Sequence, residues 1–319
     1  MEILFTLAGH PGGGLSKDEV LVDFSAAHDR VPHPSTEEAI DIIWADRKAR
    51  NSRLHDGDKF RLGSVEWQSA RSLHIELGLT GYREYLGTHT RPRDEHEALL
   101  QAGMQHFSRA LGCEAVLSTS DGHIVLIRRS LEVAMFAGYY NGPSGHPEPG
   151  KMPASAEPAK GTSDLSIADA AADRRRRLGS NDSHAAVLEL FGSVLDETEE
   201  ETGIPRNALG APILIGAMQD AQGKPDLIFS LTTTLSAAEV RTIYAQGTHA
   251  ESWESDRLVA LPWAEALLLL ERVPAESSSV LHGTAESSTP PTQSKIDDIR
   301  LTPVTQAAFE CERIRRESL

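Results

Sequence analysis

The twenty residues from Ser183 to Thr202 constrain this chain more than any other stretch. Val187, Leu190, Phe191, Val194 and Leu195 recur at helical spacing and fall within one apolar stripe, and Gly203 and Pro205 supply the stop. Asp196, Glu197, Glu199, Glu200 and Glu201 follow, five acids in six positions. At ~100° per residue, Glu197, Glu200 and Glu201 share about a third of the helix circumference, and Glu189 continues the same side. Glu197 and Glu201 stand one turn apart, where like charges cost a bare helix roughly a few tenths of a kcal/mol per pair. A helix that keeps them beside an apolar stripe shows them to water or uses them to hold a cation. Spacing alone favours water.

The acids belong to a chain of 319 residues with Asp+Glu 47 against Lys+Arg 31, a net charge of −16. This balance argues against a general nucleic-acid binder, which needs a basic face, and is compatible with a holder of divalent cations. Cys113 and Cys311 can make neither a disulfide framework nor a Cys-x-x-Cys zinc pair, and read as reduced thiols of the cytoplasm or nucleus. The N-terminal MEILFTLAGHPGGG lacks the basic flank and long apolar region of a secretory signal. No apolar run approaches the ~20 residues of a membrane span. The densest run, Ala264–Leu270, holds Glu265 and is followed by Glu271, as in a core helix. The PGGG turn lacks the Lys-Ser/Thr that completes a P-loop.

Along the chain, strands and helices alternate. Glu2–Leu7 reads as a strand, and Ser35 with Glu38 as a capping box for a helix to about Ala49 that carries Ala39, Ile42, Ile43 and Trp44. Phe60–Trp67 and Ser72–Leu79 alternate and should pair antiparallel. His96–Leu111 reads as a helix with Leu99, Leu100, Met104 and Phe107 on one side. Ala115–Ser118 and Ile124–Arg129 flank Asp121-Gly122 as a hairpin. Pro212–Gln219 and Leu227–Thr232 form a second strand pair. Ala237–Ala245, Leu258–Leu261, Trp263–Arg272 and Val304–Arg316 complete an α/β set with a mixed sheet flanked by helices. Residues 150–182 and 275–294, rich in Ala, Ser, Pro and Gly, read as disordered insertions, with Arg174–Arg177 as a solvated run within the first.

The sequence D-E-T-E-E-E-T-G-I at 196–204 matches the last part of the Nudix box, Arg-Glu-U-x-Glu-Glu-x-Gly-U, where U is a bulky aliphatic. Glu197, Glu200, Glu201, Gly203 and Ile204 fit, whereas Asp196 replaces the arginine and Thr198 an aliphatic. The upstream acid is displaced by one, from Leu188 to Glu189. Further motifs surround the box: PGGGL (11–15), SAAHDR-x-P (25–32), AI-x-x-IW (39–44), D-x-x-KFRL (56–62) and LGLT-x-YR-x-x-LGT (77–88). RRS-x-x-VA (128–134), GHPEP (145–149) and E-L-F-x-S-V-L (189–195) follow, with weaker matches at EVR-x-x-Y (239–244) and ES-x-ES (251–255). With these, most of the chain resembles the UDP-glucose pyrophosphatases of the nudix motif 22 type. That branch also lacks the box arginine and carries an insertion after GHPEP.

The resemblance implies a Nudix α/β/α sandwich over residues 114–319 behind an N-terminal α/β region, 1–113, that helps close the substrate site. It implies Mg²⁺-dependent hydrolysis of UDP-glucose or UDP-galactose to UMP and hexose 1-phosphate, with the nucleotide sugar as partner and neither nucleic acid nor membrane. Glu197 and Glu201 match the metal ligands, with Glu200 as a supporting carboxylate; Mg²⁺ commonly takes one or two carboxylates and substrate phosphates. Tyr82, Arg129, His146 and Glu148 match substrate contacts. His55 stands where the family has an aromatic residue and Asn141 where it has an Asp, and both bear on base or sugar preference. Glu254 is the candidate general base. Two rivals follow from the same residues: a Nudix activity on another nucleotide sugar or a dinucleotide, and a non-catalytic nucleotide-sugar sensor, suggested by the missing arginine.

Overall fold

The computed structural model describes residues 2–6, 13–52, 54–69, 71–133, 135–152, 166–178, 182–247, 253–271 and 298–319. The first part of the chain forms β1 (Glu2–Thr6), β2 (Val20–Phe24), α1 (Pro34–Arg50), β3 (Asp58–Ser69), β4 (Ser72–Gly81), α2 (Tyr82–His89) and α3 (Arg93–Ala102). The middle forms β5 (Gly112–Ser118), β6 (His123–Arg129), β7 (Tyr140–Asn141), β8 (Ser144–Gly145), α4 (Ile167–Leu178) and α5 (Ser183–Thr202). The last part forms β9 (Ile213–Gln219), β10 (Pro225–Thr232), α6 (Ala237–Ala245), β11 (Ser255–Pro262), α7 (Trp263–Glu271) and α8 (Pro303–Glu317). Among the described residues no helix is long and apolar enough to cross a membrane.

The large sheet is mixed, in the order β1-β9-β10-β5-β6-β11, with β10 and β5 parallel and the other neighbours antiparallel. The small sheet, β2-β4-β3, contains the expected antiparallel β3–β4 pair and a parallel β2. Helix α5 lies between the two sheets and packs on β2 and β5. Its stripe, Val187, Leu190, Phe191 and Val194, joins one core with Phe24 and Phe60 of the small sheet and Leu117 and Phe229 of the large one. Phe191 meets Phe229 edge to face, ring centroids 5.2 Å apart. Burying each such side chain contributes about 1.5–3 kcal/mol, so α5 is fixed by both of its neighbours. The opposite face of the large sheet is covered by α7 and α8 through Ala266, Leu269, Ala308 and Phe309.

Several local expectations change. Helix α1 begins at Pro34 with His33 at the cap, not with a Ser35 capping box; Pro suits the first turn because its missing N–H needs no partner there. Its buried face is Thr36, Ile40 and Trp44, while Ile42 is exposed. The helix expected over 96–111 is α3, ending at Ala102, because Gly103 adopts φ +123 and turns the chain before Phe107 is buried. β1 pairs with β9 in the large sheet, and Leu15 bridges Leu214. Within 150–182, residues 167–178 are the helix α4, whose arginines are ion-paired; 153–165 and 179–181 lie outside the described residues, as does 275–294.

The hairpin at Asp121-Gly122 forms, with Gly122 at φ +80, but β5 and β6 pair only at Leu117↔Val125 and Ser118↔Ile124. Beyond that point the strands part. β7 takes the open edge of β6 and β8 that of β5, so the turn from Asn141 to Gly145 is wedged between them, beside α5.

Candidate active site

A cleft of about 1760 Å³ runs between the small sheet with its following helix and the split end of the large sheet. Glu197 and Glu201 of α5 open onto one wall, with Cys113, Ser144 and Gly145 around them. The wedged turn holds both acids: Ser144 N–H donates to Glu201 Oε2 at 2.9 Å and His146 N–H to Glu197 Oε1 at 3.4 Å. Gly145 leaves room for the Glu197 carboxylate, which a Cβ at this position would displace. The other acids of the run turn away. Asp196 pairs with Arg206, Glu199 accepts the Arg206 N–H at 3.3 Å, and Glu200 is half-buried outside the cleft lining.

The displaced acid Glu189 is buried and accepts the Glu148 N–H at 2.9 Å, which ties the GHPEP loop to α5. Burial pushes its carboxyl up to about 7. Glu148 meets Lys59 of the small sheet across the cleft at 3.5 Å. His146 is held well below its ordinary value by burial, with Lys224 and Lys59 adding to the effect, so it is a neutral imidazole at pH 7. Arg129 ends β6 with Nε donating to the Met135 carbonyl at 3.0 Å, and it lines the cleft. Its neighbour Arg128, half-buried, is outside the cleft lining in a two-pronged pair with Asp256 at 2.6 and 2.9 Å. Glu254, half-buried, lines the cleft too, and burial raises its carboxyl above the ordinary value while Arg129 lowers it.

The opposite wall carries His55, which is exposed, and Tyr82, the first residue of α2, stacked against Tyr85 with centroids 6.1 Å apart and planes 21° from parallel. Asn141 is buried at the cleft, its Nδ2 donating to Ser144 Oγ at 2.8 Å and its Oδ1 without a hydrogen-bond partner. The structure therefore brings His55, Tyr82, Arg129, Asn141, His146, Glu148, Glu197, Glu201 and Glu254 to one cleft and leaves Glu200 outside its lining.

Among the further acids that line the cleft, Glu114 and Asp226 are buried and belong to no motif. Glu114 of β5 accepts the Gly142 N–H at 3.2 Å, and burial pushes it up to about 8. Asp226 of β10 pairs with Lys224 at 2.6 Å, and burial pushes it up to about 6. Both lie in apolar strands, and an acid inside such a run was the only signal that marked them.

A pair of carboxylates one turn apart, opening on a cleft with lysines and arginines in its lining, is an arrangement able to hold a divalent cation and a phosphate-bearing ligand. The chain belongs to the Nudix hydrolase family. It is 30% identical to Nudix hydrolase 9 of Arabidopsis thaliana over 82% of this chain and 84% of that protein. It is 33% identical to the uridine diphosphate glucose pyrophosphatase NUDT22 of Mus musculus, over 74% of each chain, and to that of Homo sapiens, over 74% of this chain and 76% of that protein. No family model matches the chain. A solved MutT protein from Methanosarcina mazei Go1 aligns with 65% of it at 15% identity and a TM-score of 0.29, too low to bear on the site.

Nudix hydrolases are generally dependent on a divalent metal. Among the described residues no three His, Cys, Asp or Glu side chains form a ready-made metal cage. The two carboxylates still fit a divalent cation that completes its shell with water and substrate phosphate oxygens.

Proposed function

We propose that the protein hydrolyses the diphosphate bond of UDP-glucose or UDP-galactose, giving UMP and hexose 1-phosphate, with Mg²⁺ held by Glu197 and Glu201. The observation that carries this reading is that the carboxylate pair, Arg129 and the aromatic wall at Tyr82 face a single cleft. The names of the mammalian relatives support the choice of substrate. When bound, the magnesium ion supplies positive charge against the diphosphate and lowers the barrier to attack by water. The protein's residues do the rest. Tyr82 stacks on the uracil ring and His55 covers its edge. Arg129 grips phosphate oxygens with its guanidinium fork, and His146, neutral, and Glu148 hydrogen-bond the sugar-phosphate.

Glu254, whose burial makes it a stronger base than an exposed carboxylate, takes the proton of the attacking water. The water oxygen bonds to one phosphorus as the bridging P–O bond breaks, and the second phosphate leaves with the bond's electrons. Asn141 and Ser144 hold the turn that aims Glu201. Glu200, beside Lys151, acts as a supporting charge at the edge of the site.

The test is a panel of nucleotide sugars and dinucleotides incubated with Mg²⁺, following nucleoside monophosphate release. UMP release from UDP-glucose or UDP-galactose is expected. Preferential AMP release would move the substrate class, and binding of UDP-sugar without release from any compound would make the protein a sensor. Glu201→Gln should lower turnover by at least about 10³-fold with an unchanged melting temperature, and retained activity would remove Glu201 from the metal site.

A further inference from the structure

None of the residues given a role above explains the arginines of α4, and Arg174 is among the most buried charges in the molecule. Its side chain is 3% exposed and meets three carboxylates. Nε donates to Asp58 Oδ1 at 2.9 Å, Nη1 to Glu84 Oε2 at 2.7 Å and Nη2 to Asp56 Oδ2 at 3.2 Å. Arg177, one turn on, donates to Asp58 Oδ2 at 2.9 Å and to Asp173 at 2.8 Å. The approach of Arg174 depends on Gly81, where a Cβ would collide with both its guanidinium and Asp56. Glu84 is held from its other side by Arg30 at 2.8 Å. Such a site uses the planar fork of arginine in three directions at once, which a lysine cannot reproduce.

The contacts lead from Arg174 to the ligand wall. Asp56 turns its second oxygen to the Arg83 N–H, at 2.9 Å, in the first turn of α2. Tyr82, the residue before, donates its N–H to the Gly57 carbonyl at 3.1 Å. His55 and Tyr82 are thus carried by a loop and a helix start that meet at Asp56, and Asp56 is fixed by Arg174. Leu178, at the end of α4, stands only a few residues before Ser183, where the helix of Glu197 and Glu201 begins.

We infer that Arg174 is a positioning residue for substrate binding: through Asp56 and Glu84 it holds the His55–Tyr82 wall at a fixed distance from the carboxylate pair on α5. The inference rests on the proposed placement of uracil on Tyr82. Arg174 touches neither the ligand nor the reacting phosphorus, so its loss acts on KM and on UMP affinity while leaving turnover at saturation largely in place.

The experiment compares the full-length wild type, Arg174→Gln and Arg174→Lys in steady-state kinetics with UDP-glucose and in calorimetric binding of UMP, each with and without methylguanidinium. Arg174→Gln should raise KM and the UMP dissociation constant about tenfold or more with kcat within about threefold; methylguanidinium should restore both, and Arg174→Lys should fall between. Unchanged KM and UMP affinity, or a loss confined to kcat, would overturn the assignment. Should Arg174→Gln fail to fold, Arg174→Lys decides, since wild-type KM and UMP affinity in that variant refute the role. A wild type that binds UMP but releases nothing refutes hydrolysis alone, and the UMP affinities still judge Arg174. A wild type that does not bind UMP overturns both.

Discussion

Glu189 offers a test of the site's electrostatics that needs no substrate. It lies two turns before Glu197, 8% exposed, with one oxygen on the Glu148 N–H. Burial raises its carboxyl from 4.5 to about 7, although that N–H and Lys151 pull the other way. In the unfolded chain it ionises near its ordinary value, about 4.3. Below about pH 4 it is protonated in both states and contributes no pH dependence. As pH rises from about 4.5 to 7 the unfolded chain gives up the proton while the folded protein keeps it, so stability falls across that window and stays low above it. At about 1.36 kcal/mol per pKa unit the full loss is about 3.5 kcal/mol.

Glu189→Gln keeps the shape and the acceptor oxygen and removes the charge. The variant should therefore melt close to wild type near pH 4.5 and above it at pH 8, by on the order of 5 °C for a chain of this size. Thermal unfolding followed by circular dichroism in chelator, from about pH 4.5 to 8.5, measures the difference. Parallel profiles, or a variant less stable than wild type at pH 8, would refute the reasoning, because then Glu189 is already ionised in the folded protein.

Three further outcomes are expected. Gly145→Ala displaces the end of a flexible side chain rather than backbone, so it should cost little stability yet lower kcat about 100-fold and raise the Mg²⁺ concentration for half-maximal rate, as read from metal titrations. Arg129→Ala should lower kcat/KM about 100-fold or more, whereas Arg128→Ala, which breaks only the pair with Asp256, should stay within about twofold. If Glu254 is the base, the rate of the wild type falls as pH drops through its raised pKa. Glu254→Gln should then be slower by about 10²–10⁴ and lose that acidic limb, and an unchanged pH profile would exclude the role.

Sequence and structure agree most closely where the information is local. Helix α5 was legible from its stripe and its glycine stop, and Asp182 caps it with an oxygen on the Ala185 N–H at 2.9 Å. Within the acid run, the resemblance to the Nudix box marked Glu197 and Glu201, which share the cleft, while Glu200, placed on the same side by the helical wheel, sits outside the lining. The wheel gives angles, and the width of the cleft decides which angles reach it. The strand pairs β3–β4 and β9–β10 were readable because their partners are neighbours in the chain.

Tertiary structure decided what depends on distant partners. Arg174–Arg177 read as a solvated run because nothing within a few residues neutralises it, apart from Asp173; Asp58, which neutralises Arg174 and Arg177, is 116 and 119 residues away. The small strand β1 gave no sign that it would complete the large sheet beside β9, since an edge strand's alternation does not name its partner. Glu114 and Asp226 owe their raised pKa values to layers of apolar side chains supplied by other elements. By itself the sequence determined the helix, its acids and the family motifs, because each is a spacing within one short segment. Only the folded chain set the acids opposite Tyr82, because that distance is fixed by packing two sheets against one helix and by charges that meet across more than a hundred residues.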